Sequence, residues 1–206
     1  MKVCLFDLDG TILDNMPVWR KTVDGLFKRF GKPAPTTAEF FQELESSQGD
    51  YLQVYLKWGI DASREELTAV FRSIYEGLAP QVGLMPHALD TLEHLAAKGI
   101  VLGLVTTQTE EISLPLLARF KIAGLFIHLR FHAIDKSSVI TEILGSEGVP
   151  PEDCCYVGDS PSDIRHANKA GVVSVAYLDR YIPHELVLAA RPRVAINGLR
   201  QLLSLT

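Results

Sequence analysis

The chain is predicted to be an α/β protein, a parallel sheet with helices on both faces and an all-helical insertion after its first strand. Three observations carry that expectation. A short apolar run (Val3, Cys4, Leu5, Phe6) has strand character and stops at an acidic turn. From residue 86 onward, continuous apolar strands alternate with helical periodicities, the pattern of a parallel sheet buried on both faces. Between the two, residues 15–80 show helical spacing and no clear strand. The expected division is therefore a core made of residues 1–14 and 81–206, and a helical domain at 15–80.

Each element has its own signal. Trp19, Val23, Leu26, Phe27 and Phe30 recur at helical spacing, and Gly31 supplies a stop. Asp14 or Asn15 is the expected cap of this helix, with Pro17 in its first turn. A second helix begins near Thr37, and a third covers 51–58 after Asp50. Ser63, followed by Glu65 and Glu66, reads as a capping box opening a fourth, with Leu67, Val70, Phe71, Ile74 and Leu78 as its stripe. Leu89, Leu92, Leu95 and Ala96 are expected to line a helix ending at Gly99. A strand over 100–105 precedes a helix carrying Leu116, Leu117 and Phe120. A weaker strand is expected at 126–131 and a helix at 137–147. A strand at 154–157 ends in Gly158-Asp159. A helix at 160–170 stops at Gly171, and a strand at 172–177 follows. Short elements are expected at 185–190, 194–196 and 199–205.

Bulk properties exclude several function classes. A length of 206 residues allows one domain with an insertion, and 47% hydrophobic content is ordinary for a protein with a real core. The net charge of −5 gives no basic footprint, so nucleic acid is not an expected partner. No apolar run reaches the length of a membrane span, and Asp7 and Asp9 interrupt any signal-peptide pattern. The three cysteines, Cys4, Cys154 and Cys155, lie in apolar runs. They read as buried thiols in a reducing compartment, so the expected location is cytoplasmic. The six histidines do not cluster; His128 and His132 fall on a strand and loop, and His87 and His94 read as surface residues.

Chemistry concentrates at strand ends. In Phe6-Asp7-Leu8-Asp9-Gly10-Thr11 the two carboxylates alternate, so in a regular strand they share one face. Carboxylates forced together repel unless a cation or shared proton relieves them. A calcium loop needs a bidentate Glu at its twelfth position, which is Val18 counting from Asp7. Thr106 and Thr107 follow the strand Val101-Leu102-Gly103-Leu104-Val105, where a hydroxyl beside backbone N–H groups suits a phosphoryl oxygen. Lys136 lies just before a helix. Gly158-Asp159-Ser160-Pro161-Ser162-Asp163 closes another strand, and Asp163 stands one helical turn beyond Asp159. Ser160 with Pro161 and Asp163 also reads as a helix-capping box with no catalytic meaning.

The run FDLDGTILD resembles the first motif of the haloacid dehalogenase superfamily in its phosphatase form, the phosphoglycolate phosphatase-like branch with a helical cap. The resemblance covers essentially the whole chain and implies a Rossmann-like core with a small cap at 15–80. It implies that Asp7 is a nucleophile and Asp9 a general acid/base. It implies that Thr106 holds a phosphoryl oxygen, with Thr107 standing where the family often has Asn. It implies that Lys136 binds nucleophile and phosphate together; Lys121 falls on the wrong side of the next strand. It also implies a cation site from Asp7, Asp159, Asp163 and the Asp9 carbonyl, and all-oxygen ligation favours Mg²⁺.

The expected function is a Mg²⁺-dependent phosphatase of a small phosphorylated metabolite, working through an aspartyl-phosphate, as a monomer or homodimer. The cap is expected to close over the site, with 13–15 and 81–85 as hinges. Met16, Arg20 and the loop 45–50 are its candidate specificity residues. A phosphomutase of the β-phosphoglucomutase type would keep the same motifs. A dehalogenase would lack the acid/base at Asp9. A non-enzymatic binding module would have no need of four intact aspartates.

Overall fold

The computed structural model describes residues 1–47, 50–178 and 181–205. Strand β1 is Val3–Phe6; β2 (Leu13–Asp14) and β3 (Gly83–Leu84) form a two-stranded ribbon of their own. The main sheet continues with β4 (Val101–Val105), β5 (His128–Arg130), β6 (Cys154–Gly158), β7 (Val173–Tyr177) and β8 (Val194–Ile196). Its order is β5-β4-β1-β6-β7-β8, and every pairing is parallel. The apolar runs therefore occupy the strands they were expected to, with β1 at the centre.

The helices that connect these strands are α5 (Ala88–Ala97), α6 (Glu110–Arg119), α7 (Lys136–Glu147), α8 (Pro161–Ala170) and α9 (His184–Ala189), the insertion holding α1–α4. Ile140, Ile143 and Leu144 of α7 and Ala167 of α8 pack on Val3, Leu5, Cys154 and Tyr156 of the sheet. Cys4 and Cys155 face each other in register, their sulfurs 3.0 Å apart, and all three cysteines are free and buried. Burial pushes the Cys4 thiol well above its usual range.

The chain divides into two compact units: Met1–Asp14 with Leu84–Thr206, and Asn15–Gly83. The second contains α1 (Met16–Arg29), α2 (Thr37–Ser46), α3 (Tyr51–Lys57) and α4 (Arg64–Leu78). Each later helix starts on a side-chain cap. Thr36 and Glu39 close a full capping box, Asp50 accepts from the Leu52 N–H at 3.0 Å, and Ser63 accepts from the Glu66 N–H at 3.2 Å. Val23, Phe27, Phe40, Val54, Tyr55 and Leu67 form this unit's own apolar centre.

Some local expectations differ from the structure. Leu89 is exposed, because the buried face of α5 is Ala88, Thr91, Leu92 and Leu95, a strict i, i+3, i+4, i+7 stripe that leaves position 89 outside. Asn15 precedes α1 but makes no side-chain cap bond; its amide points instead to the Tyr75 hydroxyl at 3.5 Å. The last element is a 3₁₀ helix, Leu199–Ser204. The edge strand β5 is shorter than its apolar run because it has one neighbour, β4, and pairs with it only from Gly103 to Val105.

Because each unit has an apolar centre of its own, residues 1–14 joined to 84–206 by a short Gly/Ser linker are expected to fold. Retained near-ultraviolet circular dichroism and a cooperative thermal transition are the expected outcome. A product with secondary structure but no tertiary signal would show that the first unit depends on the second.

Candidate active site

The sheet order delivers the site. β1 lies between β4 and β6, so the residues following these three strands emerge side by side. Asp7 follows β1, its N–H still bonded to the Val157 carbonyl at 2.9 Å. Thr106 follows β4, with its N–H on the Arg130 carbonyl at 3.0 Å, and Asp159 follows β6. The chain moves outward from β1 to β4 and β5, then returns to β6 on the other side. Open α/β sheets bind ligands at such a reversal, beyond the carboxyl ends of the strands.

One carboxylate oxygen from each of Asp7, Asp159 and Asp163 lies within 4.8 Å of the others, and all three residues are buried. Lys136, the first residue of α7 and 5% exposed, donates from Nζ to Asp7 Oδ1 at 2.7 Å and to Asp163 Oδ1 at 2.6 Å. Asp163 forms the capping box and reaches Lys136 with the same side chain. Its Oδ2 accepts from the Ser160 N–H and hydroxyl at 3.2 and 2.6 Å, closing the capping box at the start of α8. Its Oδ1 is thereby turned to Lys136 and lies 3.2 Å from the Tyr156 hydroxyl. The cap thus fixes the orientation of this carboxylate toward the lysine.

Two glycines permit this crowding. Gly10 adopts φ +75°, and a Cβ there would stand 2.1 Å from Asp159 Oδ2. A Cβ on Gly158 would stand 2.4 Å from that of Asp163. Thr11 is fully buried beside them, its hydroxyl 3.5 Å from Asp159 Oδ1.

The remaining predicted residues are placed less uniformly. Thr106 is buried and its hydroxyl accepts from the Gln108 N–H at 3.1 Å. Thr107 is exposed. Asp9 is half-buried, and its Oδ2 accepts from the Gln108 amide at 3.4 Å. Lys121 is exposed at the end of α6. Met16 is buried, and Arg20 donates to the Pro35 carbonyl at 2.8 Å and pairs with Asp24. Gln48 and Gly49 of the loop 45–50 lie outside the described residues. His128 bonds Glu147 at 2.6 Å. Sequence reasoning missed Gln108 and Tyr156. Tyr156 sits in an apolar strand two positions ahead of Gly158-Asp159, and the turn from β6 into α8 brings its hydroxyl to Asp163, seven residues on.

Burial and charge pull the three ion-paired groups in different directions. Burial pushes Asp7 up to about 7, against the opposing pull of Lys136, and the nearby Asp163 and Asp9 charges add to the rise. Burial also acts against ionised Asp163, but the Lys136 charge and the hydrogen bonds from Lys136 and Ser160 outweigh it and hold this carboxyl low. Burial disfavours the Lys136 cation, yet Asp163 and Asp7 outweigh it and hold the ammonium charged well above its usual range. The asymmetry follows from hydrogen bonds. Asp163 accepts from Lys136 and Ser160, whereas Asp7 accepts from Lys136 alone among the described residues.

Three buried carboxylates facing one ammonium leave excess negative charge, and every ligand atom is a hard oxygen. This donor set fits a divalent cation of the Mg²⁺ kind.

Residues 4–177 match the model of the haloacid dehalogenase-like hydrolase family, and the chain belongs to that family. It is an enzyme of the family's phosphatase kind. A phosphoglycolate phosphatase of Xanthomonas campestris is 32% identical over 87% of this chain and 84% of its own length. Phosphoglycolate phosphatase 1 of Pseudomonas aeruginosa is 28% identical over 98% of this chain and 78% of its own. A crystal structure of a predicted phosphoglycolate phosphatase from Haemophilus somnus 129pt superposes with a TM-score of 0.80 at 21% identity, covering 100% of this chain and 97% of that one. A putative β-phosphoglucomutase from Thermotoga maritima superposes at 0.74 with 19% identity, over 100% and 98% of the two chains. At these identities the two structures report the shared fold.

The raised Asp7 pKa has a consequence for the metal-free protein. Between the usual carboxylate range and about 7, the folded state keeps a proton that the unfolded chain releases, so stability falls as pH rises through that window. Asp7→Asn removes the titration. In chelator, the melting temperature of Asp7→Asn relative to wild type is expected to gain more near pH 8 than near pH 5. An equal difference at both pH values would show that Asp7 is ionised throughout.

Proposed function

We propose that the enzyme hydrolyses a small phosphomonoester in two displacements on phosphorus, with Asp7 as nucleophile, and that it requires Mg²⁺. The observation that carries this reading is the Lys136 bridge, which ties Asp7 Oδ1 to the lysine at 2.7 Å. No hydrogen bond from a described residue engages Oδ2, the oxygen we assign to attack. Phosphate monoesters are among the slowest substrates to react uncatalysed, with enhancements up to ~10²¹ required, and splitting the transfer into two steps is one solution.

In the first step Asp7 Oδ2 bonds to phosphorus as the ester oxygen departs, and Asp9 gives that oxygen its proton. In the second, Asp9 takes a proton from water as the water oxygen displaces Asp7, regenerating the free carboxylate and releasing phosphate. Thr106 and Thr107 would donate to the transferring group, and Lys136 would spread its charge while holding Asp7. Asp7, Asp159, Asp163 and the Asp9 carbonyl would hold a Mg²⁺ ion, which would neutralise the phosphoryl oxygens. We assign residues 15–80 the part of a cap that sets substrate choice. Phosphoglycolate is the first substrate to test, since the relatives are named for it.

The test is a panel of phosphorylated metabolites with Mg²⁺, monitoring phosphate release and isomer formation. Phosphate release that disappears in Asp7→Asn is the expected result. Isomerisation without release would make the enzyme a mutase instead, and release persisting in Asp7→Asn would overturn the covalent mechanism. Asp9→Asn is expected to slow turnover of alkyl phosphates by about 10²–10⁴-fold, the usual worth of general acid/base catalysis. In single-turnover phosphoryl transfer, p-nitrophenyl phosphate should lose less, because its leaving group needs little protonation; equal losses would remove Asp9 from the role.

Excess chelator is expected to abolish activity, with Mg²⁺ restoring it and Ca²⁺ restoring little. Mg²⁺ demands near-octahedral geometry, whereas Ca²⁺ takes looser, higher coordination and would hold the aspartates less specifically. Full rates in chelator, or equal rates with the two ions, would refute the dependence.

A further inference from the structure

The loop between β4 and α6 carries a residue that no motif singled out. Gln108 is anchored from three directions. Its N–H donates to the Thr106 hydroxyl at 3.1 Å, its carbonyl accepts from the His132 N–H at 3.0 Å, and its side-chain Oε1 accepts from the Thr109 N–H at 3.1 Å. The last bond decides which way the amide faces. A backbone N–H only donates, so the atom opposite Thr109 must be the oxygen, and the amine is left to point the other way. It points to Asp9, with Nε2 3.4 Å from Oδ2.

We propose that Gln108 is a positioning residue for Asp9, holding its carboxylate by a neutral donor in the orientation from which it exchanges protons with the leaving group and with water. This rests on the phosphatase reading above and adds a residue to it. Asp9 lies past the end of β1, is only half-buried, and is followed by a glycine at positive φ, so the strand no longer dictates its direction. A neutral amide suits the task because the acid/base must gain and lose a proton, and a fixed cation in the same place would resist protonation. Gln108 also shares the Thr106 hydroxyl, so one loop aligns the phosphate-binding hydroxyl and the acid/base from the same strand end.

Two substitutions separate positioning from loop anchoring. Gln108→Glu keeps the length and the acceptor for the Thr109 N–H but replaces the donor with a second carboxylate facing Asp9. Gln108→Ala removes both contacts. If Gln108 orients Asp9, both variants lower kcat for alkyl phosphates by roughly 10–10²-fold, the scale of a misplaced catalytic group, with KM little changed. Glu should be as poor as Ala or poorer. The loss should shrink for p-nitrophenyl phosphate in single-turnover transfer. In an Asp9→Asn background, Gln108→Ala should cost nothing further within about twofold. Mg²⁺ affinity by calorimetry should be unchanged in Gln108→Ala.

Near-wild-type activity in Gln108→Glu beside an impaired Gln108→Ala would mean the residue merely anchors the loop. Full activity in both, or losses that add to those of Asp9→Asn, would also overturn the assignment. Wild-type protein that turns over no phosphomonoester would overturn the phosphatase reading and this role with it. An active wild type with indifferent Gln108 variants would overturn this role alone.

Discussion

Lys136 places one ammonium between Asp7 and Asp163 at 2.7 and 2.6 Å, almost out of contact with solvent. Removing these charges from water is costly, and their mutual attraction compensates only where geometry is close and the remaining polar atoms are satisfied. Asp163 meets that condition through Ser160, and Asp7 does not. The imbalance is what makes Asp7 chemically distinct. A carboxylate poorly satisfied by its surroundings gains most from an added cation and from reaction with an electrophile.

The rest of the fold serves this contact. β1 must lie between β4 and β6 for Asp7, Thr106 and Asp159 to be neighbours, and α7 must start beyond β5 for Lys136 to reach across to β1 and α8. The packing of Ile140, Ile143 and Leu144 against Val3, Leu5 and Tyr156 fixes where α7 starts. A core substitution that tilted this helix would therefore act on the site without touching it. Gly10 and Gly158 set the other limit, because any side chain there would occupy the space of the two carboxylates.

Polar residues around the charges tie the strand ends and helix starts together. Ser160 is a helix cap and also the group that turns Asp163 toward the lysine. Tyr156 lies within hydrogen-bond distance of the Val105 carbonyl and Asp163 Oδ1, tying β6 to the end of β4 and to α8. Gln108 ties the loop after β4 to the loop after β1. Substitutions in one such hydrogen-bonded network belong to the non-additive kind.

The sequence by itself determined the fold class, the strands and most helices, because buried parallel strands and amphipathic helices leave periodic, local signatures. Phe6-Asp7-Leu8-Asp9-Gly10 and Gly158-Asp159 were legible for the same reason: an apolar strand interrupted by carboxylates is a local contradiction. Leu89 was misjudged because residue type was weighed without its angle around α5. Lys136 needed a family resemblance to stand out, since one lysine at a helix start carries no local signal. Its partners, and the contact of Gln108 with Asp9, were decided by tertiary structure alone. Lys136 and Asp7 are 129 positions apart, and Gln108 and Asp9 are 99 apart. No periodicity spans such distances; only the strand order, with β1 between β4 and β6, converts them into hydrogen bonds.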